Sequence, residues 1–464
     1  MTLIKSISGI RGTIGGAIGD NLTPIDAVNF GAAYATWLKQ STGVKNPTVV
    51  IGRDARLSGE MISKLVAGAL QGCGVNVIDL GLSTTPTVEV AVPLEKADGG
   101  IILTASHNPA QWNALKLLNS KGEFISGDEG AIVLTIAEEQ TADFVDVMEL
   151  GSYKQDDTYL QKHIDAVLNL PLVDVEAIKK ANFTVAIDAV NSTGGIFIPA
   201  LLKALGVNNI KPLFCEPTGH FPHNPEPLPA HLTDLVALMQ AEKVDVGFVV
   251  DPDVDRLAIV SEDGSMFGEE YTLVAVADYV LSQTKGNTVS NLSSTRALSD
   301  VTKKHGQNYQ ASAVGEVNVV ELMKATNAVI GGEGNGGIIY PELHYGRDAL
   351  VGIALFLTHL AKTGMKCSQL RASYPNYVIS KNKIELTPSI DVDGVLKEMK
   401  AAFAHETIND IDGVKIDFAD GWVHLRKSNT EPIIRVYAEA ETNERANELA
   451  KQVMQKVEDF CCAK

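Results

Sequence analysis

Aromatic residues make up only 6% of this 464-residue chain, and cysteines number five. No run of about 18 apolar residues occurs, so no membrane-spanning helix is expected. The cysteines, none in a metal-ligand spacing, offer no disulfide framework and point to a reducing compartment. Cys461 and Cys462 fall in a C-terminal tail, where fraying is expected rather than chemistry. Basic residues are also scarce, with 39 Lys+Arg against 57 Asp+Glu and a formal net charge of -18. Nucleic acid and anionic membranes need a basic face that displaces counterions, so neither is expected as a partner. One small basic pocket for a phosphorylated metabolite remains compatible with that balance. The opening MTLIKSISGIRG has no apolar stretch of the signal-peptide kind, so a soluble cytoplasmic protein is expected. There is no G-x-x-x-x-G-K-[ST] loop and no G-x-S-x-G elbow, which removes P-loop kinases and α/β-hydrolases.

What is present is ordinary globular composition, 45% hydrophobic and 21% charged. Single cores rarely exceed roughly 250–300 residues, so the length calls for several domains. One pattern occurs three times: a β-branched run, a polar loop, a helix, a glycine and a second strand. The copies start at TVVIGRD (48–54), FTVAIDA (183–189) and NTVSNLS (287–293), with helices over about 58–71, 195–205 and 296–305. Ser, Thr or Gly precedes each helix and Gly74, Gly206 or Gly306 follows it, which predicts N-cap and C-cap chemistry. Such units build parallel or mixed sheets covered by helices. The last 90 or so residues read instead as strand, helix, three strands and helix. The expected fold is α/β: three similar domains with mixed sheets, over 1–150, 151–258 and 259–372, and an α+β domain over 373–464.

Four segments carry chemistry. In GGIILTASHNPAQWNALK (99–116) a strand ends at Thr104 and opens into a loop bearing Ser106, where an exposed serine can act as a nucleophile. His107, adjacent in sequence, is poorly placed to take its proton. In VGFVVDPDVDRLAIV (246–260) Asp251, Asp253 and Asp255 alternate, so an extended backbone would point all three one way. Clustered carboxylates repel, and an all-oxygen set selects Mg²⁺ or Ca²⁺. An EF-hand is excluded although Glu262 falls at its twelfth position, because Arg256 occupies the place of the required glycine. Arg256 is suited instead to a phosphate beside the metal. GGEGNGG (331–337) satisfies G-x-G-x-x-G, but IIYPELHYG follows where a dinucleotide site needs a helix. Glu333 and Asn335 there offer partners for sugar hydroxyls. HLRKSNTEPIIRV (424–436) places Arg426, Ser428, Asn429, Thr430 and Arg435 on one turn, a set suited to clamping a phosphate.

Taken in order, these segments resemble the α-D-phosphohexomutase family. TASHNP is similar to its phosphoserine loop, DPDVDR to its metal loop, GEGNGG to its sugar loop and RKSNTEPIIR to its phosphate loop. ISGIRG (7–12) resembles its N-terminal motif. The resemblance implies the three α/β domains and the C-terminal α+β domain, arranged around a central active-site cleft. It also implies that Ser106 carries the phosphoryl group and that Asp251, Asp253, Asp255 and a phosphoserine oxygen hold one Mg²⁺. Lys116 would then move a proton or touch phosphate, with His107, Arg11 and Arg256 around it. Glu333 and Asn335 would contact the sugar, and the 426–435 residues the phosphate that does not react. Where many relatives have histidine, this chain has Gly337 and Glu316, and Ala114 replaces a glycine. The GEGNGG and VGEVNV forms are most similar to phosphoglucosamine mutases. The expected reaction interconverts hexosamine 6- and 1-phosphates through a 1,6-bisphosphate, which would also act as activator. The alternatives are a phosphomannomutase or phosphoglucomutase, a sugar-phosphate phosphatase, and a silent sugar-phosphate binder. A monomer and a homodimer are equally compatible with the sequence.

Overall fold

The computed structural model describes residues 2–462 except Ile7, Ser8, 387–390 and 429–432, and omits the side chains of Ser6 and Cys462. Three sheets share one four-strand pattern. In the first, Trp112–Leu118 runs antiparallel to Gly99–Leu103, which is parallel to Thr48–Arg53, itself parallel to Asn76–Leu82. The second repeats this with Leu257–Ser261, Val246–Val250, Thr184–Asp188 and Asn209–Leu213. The third does so with Gly337–Ile339, Ala328–Glu333, Asn287–Asn291 and Tyr309–Ser312. Ile4–Ser6, Gly9–Thr13 and Tyr153–Gln155 extend the first sheet to seven strands, past residue 150. The second sheet likewise runs on through Ser261.

The helix after each first strand ends in the same turn. Gly74, Gly206 and Gly306 adopt φ of 79°, 83° and 68°. In each case the next amide bonds back five residues: Val75 to Leu70, Val207 to Leu202, Gln307 to Thr302. This is the Schellman arrangement, which places a left-handed glycine just past the helix. Two of the expected N-caps do not form, since Ser58 and Thr193 take helical φ/ψ and their side chains make no capping bond, whereas Thr295 Oγ1 accepts from the Ala297 amide at the start of the third helix. Ser58 accepts instead from Asn113, and Thr193 donates to the Pro252 carbonyl, so both hydroxyls serve the loops above the sheet.

The second and third units share a core. Ala349–Thr363 is buried on nearly every face because it lies between them, and Phe356 packs edge-on against Phe248 and Phe267. A helix buried all round is apolar all round, as ALVGIALFLTHLAKT is. Each buried Leu, Ile or Phe there contributes roughly 1.5–3 kcal/mol. The C-terminal domain is a five-stranded antiparallel sheet under helices Val392–Ala402 and Asn443–Cys462. Cys461 lies in that last helix against the domain core, not in a frayed tail. The domain docks on the third unit through Lys415 Nζ to the Leu292 carbonyl (2.9 Å) and the Arg296 amide to Glu439 (3.0 Å).

One consequence of the repeat governs the site. In each α/β unit the fourth strand turns back on the third, and the connecting loop stands at the end of a central parallel strand. Those three equivalent loops are 104–111, 251–256 and 334–336, the three segments singled out from the sequence.

Candidate active site

Ser106 is not exposed: its accessibility is 8%, and its backbone sits at φ 49°. The loop that buries it is held from inside by Arg56. That guanidinium, fully buried, donates to the carbonyls of Ser106, Asn108, Pro109 and Trp112. Asp54 fixes the guanidinium at 2.9 Å and also accepts from Thr104, whose Oγ1 receives the Ser106 amide. Arg56 thus shapes the loop without touching the serine hydroxyl, and neither it nor Asp54 stood out in GRDARL. Ser106 Oγ donates to Asp251 at 2.7 Å. His107 Nδ1 lies 3.4 Å from the same oxygen, within its reach despite sequence adjacency.

The three aspartates converge, with one oxygen of each within 4.8 Å of the others, but not because the chain is extended. Residues 251–256 form a curled loop in which Val254 takes φ 64°. Nor are the carboxylates unpaired. Asp253 accepts from Thr85 Oγ1 (2.5 Å) and Lys116 Nζ (2.8 Å), and Asp255 from Arg347 (2.7 Å). Asp253 Oδ1 and Asp255 Oδ1 are nevertheless buried with no hydrogen-bond partner among the described residues. Burial and the two neighbouring carboxylates push Asp251 well above the usual range. Two orphaned carboxylate oxygens beside Asp251, on an all-oxygen set, fit a hard divalent cation. Glu262 lies elsewhere, accepting from Ser368 at the start of helix Cys367–Ala372, which removes the last EF-hand feature.

Lys116 follows from strand Trp112–Leu118, and Arg11 sits beside it on Gly9–Thr13, opposite Ala114. Burial works against the Lys116 charge, but Asp253 and Asp255 outweigh it and hold the ammonium above the usual lysine range. Arg256 lowers His107 most, followed by burial and by Arg11 and Arg347, to about 2. His107 is therefore a neutral imidazole among guanidinium groups. Arg11 Nε and Arg256 Nε are buried without a hydrogen-bond partner among the described residues, although Arg256 Nε lies 3.9 Å from Asp255 Oδ1. Clustered cations with unspent donors suit an anion of phosphate type.

The sugar-loop segment meets the metal loop through Arg347, a residue that the sequence reading missed. Its guanidinium donates to Asp255 (2.7 Å) and Glu333 (2.8 Å), and its Nε lies 3.1 Å from Glu316. Glu316 also receives the Arg347 amide, and Glu333 accepts from Asn291. A Cβ at Gly337 would lie 2.3 Å from the Arg347 side chain, so this position is glycine because the arginine fills its space. Gly336, at φ 85°, gives its carbonyl to the Leu257 amide and ties the two loops together. The segment joins two antiparallel strands, as expected once the dinucleotide reading is rejected. Asn335 Oδ1 accepts from the Gly337 amide.

In the C-terminal domain Arg426 and Arg435 stand opposite each other across two strands, with Lys383 opposite Arg435 on the far side. Arg435 reaches the Tyr437 hydroxyl, Arg426 approaches Asp412 at 3.9 Å, and Ser428 is buried. Asn429 and Thr430 lie outside the described residues.

A nucleophilic hydroxyl against an acidic metal site, with a surround of cations, belongs to a phosphoryl-transfer enzyme. Sequence models described as phosphoglucomutase/phosphomannomutase alpha/beta/alpha domains I, II and III match residues 3–143, 161–264 and 268–377, and the C-terminal domain model matches 383–456. The chain is 36% identical to a phosphoglucomutase/phosphomannomutase of Thermococcus kodakarensis, over 94% of this chain and 96% of that one. It is 31% identical to a phosphoglucosamine/phosphogalactosamine mutase of Sulfurisphaera tokodaii, over 96% and 97%. Among solved structures, a phosphoglucomutase/phosphomannomutase family protein of Burkholderia thailandensis superposes with a TM-score of 0.85 at 26% identity, covering 99% of this chain and 97% of that one. The chain belongs to the phosphoglucomutase/phosphomannomutase family, the α-D-phosphohexomutases, and is a phosphohexomutase.

Proposed function

We propose that the reaction runs through phosphorylated Ser106 and converts glucosamine 6-phosphate to glucosamine 1-phosphate. The observation that carries the phosphoserine step is the Ser106 Oγ to Asp251 bond, beside two buried carboxylate oxygens that lack partners. Asp251, Asp253 and Asp255 would hold one Mg²⁺, which supplies charge neutralisation to the transferring phosphoryl group. The bond between Ser106 Oγ and phosphorus breaks as the free sugar hydroxyl bonds to phosphorus. The resulting 1,6-bisphosphate turns end for end, and Ser106 takes back the other phosphate. The sugar hydroxyl gives up one proton as Ser106 Oγ takes one up, and Lys116, hydrogen-bonded to Asp253, is the group suited to passing it or to contacting the phosphate. Arg11 and Arg256 would neutralise the transferring phosphate, and His107 stays uncharged between them. Arg426, Ser428 and Arg435, with Asn429 and Thr430, would hold the spectator phosphate, and Glu333 and Asn335 the sugar.

Glucosamine is supported by the sugar-loop sequence and by relatives with that name. A second reading, mannose or glucose phosphate, is favoured by the pairing of Glu333 with Arg347, which leaves less of its charge for a 2-ammonium group. Turnover on glucosamine, glucose and mannose phosphates separates the two. A kcat/KM preference for glucosamine of tenfold or more, about 1.4 kcal/mol, supports the first reading, and equal use of the others overturns it. The phosphoserine step is tested separately. Ser106→Ala should lose turnover by several orders of magnitude, and mass mapping should find phosphate on Ser106. Near-normal activity in that variant would refute the step, while steady phosphate release from the wild type would indicate a phosphatase.

A further inference from the structure

Beside the catalytic cluster lies a second group of ligand-type side chains with no part in the reaction. His163, from helix Tyr159–Leu168, and Asp348 are fully buried, and the His344 side chain is 8% exposed. His163 Nε2 is 3.0 Å and His344 Nε2 3.3 Å from Asp348 Oδ2, and the three ligand atoms lie within 4.8 Å of one another. The outer contacts are those of a metal centre. His163 Nδ1 meets Thr87 Oγ1 at 2.8 Å, Asp348 Oδ1 accepts the amides of Leu350 and Val351, and His344 Nδ1 faces Glu89 Oε2 at 3.4 Å. Metal-bound histidines hand their other ring nitrogen to an oxygen acceptor in this way.

Glu89 supplies the independent observation. It is 1% exposed, neither oxygen has a hydrogen-bond partner among the described residues, and it points at the far edge of His344. Burial, with Glu316, Asp255 and Asp348 adding to it, raises Glu89 well above the usual carboxylate range, so its carboxyl group can accept a hydrogen bond from His344 Nδ1 or donate one to it. Where Nδ1 carries the hydrogen, the imidazole turns a bare Nε2 toward Asp348 Oδ2, two lone pairs at 3.3 Å. A cation between them removes the repulsion, and two ligands on a tetrahedral ion at about 2.0–2.2 Å are spaced near this distance.

We propose that His163, His344 and Asp348 bind a divalent transition ion of the Zn²⁺ class, distinct from the all-oxygen aspartate site. Two imidazoles with one carboxylate select such an ion over Mg²⁺. The site would be structural. It joins helix Thr85–Leu94, whose Thr85 holds Asp253, to the segment carrying Arg347, so it fastens supports of both catalytic loops.

The test uses full-length protein stripped of metal, given excess Mg²⁺ to fill the aspartate site, equilibrated with Zn²⁺, dialysed, and analysed for bound metal. About one Zn²⁺ per chain should remain. His344→Gln and His163→Gln should each lower that affinity at least tenfold with circular dichroism unchanged, and Glu89→Gln should weaken it tenfold or more. Failure of the wild type to retain Zn²⁺ overturns the proposal, and His344 then only bridges Glu89 and Asp348 by hydrogen bonds. Retention unchanged in His344→Gln also overturns it, placing the metal on cysteines or the aspartates. If His163→Gln fails to fold, the less buried His344→Gln decides.

Discussion

At residues 251–255 three carboxylates meet inside the molecule with Lys116 and Arg347 against them. At residues 383, 426 and 435 three cations stand side by side across a sheet, and the Lys383 side chain is 61% exposed. In the first cluster Asp253 and Asp255 take counter-charges from the other two α/β domains, Lys116 and Arg347, so the loops are fixed relative to one another. In the second, Lys383 lies 2.7 Å from Glu385 and Arg426 3.9 Å from Asp412, yet like charges still stand directly opposite on paired strands, which works against the fold. Such an arrangement persists where an anionic ligand relieves it. The interior is built to hold a reaction geometry, and the C-terminal domain to receive something that arrives and leaves. In the proposed reaction the bisphosphate reverses between half-reactions, and a grip of that kind would suit it.

The sharpest break of this contrast is Asp253→Asn. It removes one charge from the aspartate set and loosens Lys116 and Thr85, all inside the rigid cluster. The loss should be about 3–5 kcal/mol of transition-state stabilisation, a hundredfold or more in kcat, with the fold retained. Steady-state kinetics with a Mg²⁺ titration checks this, and full activity after EDTA treatment would refute the metal role.

Next is Arg347→Ala, which strands Asp255, Glu316 and Glu333 in the interior. Breaking such a buried set should cost about 3–5 kcal/mol in stability, read from denaturant unfolding. In the double variant with Glu333→Gln the cost should fall below the sum of the singles, because a stranded charge has gone. Additive effects would show that Arg347 acts through packing alone.

That arginine also marks where sequence reading stopped. The three-fold repeat was legible because strand, helix and left-handed glycine recur in order along the chain, and the four motifs were legible as local clusters. Arg56 and Arg347 sit in short loops, and the Ser106 carbonyl that Arg56 holds lies 50 positions away and the Asp255 that Arg347 holds lies 92 away. No spacing rule connects Arg347 with Asp255. The void at Gly337 was visible only as a missing side chain, and the structure supplies its reason. The burial of Ser106 was hidden likewise, since it depends on four carbonyls held by an arginine from another loop. Two details were misjudged from local pattern: the aspartates converge through a curl, and Ser58 and Thr193 cap no helix.

In the cationic row the expectation reverses. Arg426→Ala should lower kcat/KM by about 2–3 kcal/mol, some thirty- to a hundredfold, through lost charge-assisted bonds to phosphate. Stability without ligand should hold or rise slightly, as a like-charge neighbour of Arg435 disappears. Comparing kinetics with unliganded unfolding tests both halves. A loss of stability with unchanged kcat/KM would make the row a structural element and end the comparison.

The smallest effect concerns how the C-terminal domain is held, through His424 and Ser293. His424 is 1% exposed, with Nε2 2.7 Å from the Asp412 carbonyl and Nδ1 2.9 Å from Ser293 Oγ. Nε2 therefore carries the proton, and Nδ1 accepts from the serine. Burial chiefly, with Lys415 and Arg426 adding to it, lowers this histidine to about 4 from the ordinary 6.5, while Asp412 works the other way. Because the folded value is depressed, the unfolded chain takes up the proton first. The stabilisation is thus fully present above about pH 6.5 and lost as pH falls toward 4. At pH 5 the loss should be about 2 kcal/mol, from a slope near 1.4 kcal/mol per pH unit between the two values. His424→Gln keeps a donor for the Asp412 carbonyl but cannot titrate, so the wild-type and variant stability curves should converge between pH 6.5 and 5. Hydrogen exchange at Leu292 to Thr295 would locate the change at the domain contact. Parallel curves for the two proteins over that range would show that His424 does not titrate there and that other groups set the acid limit of the docked state.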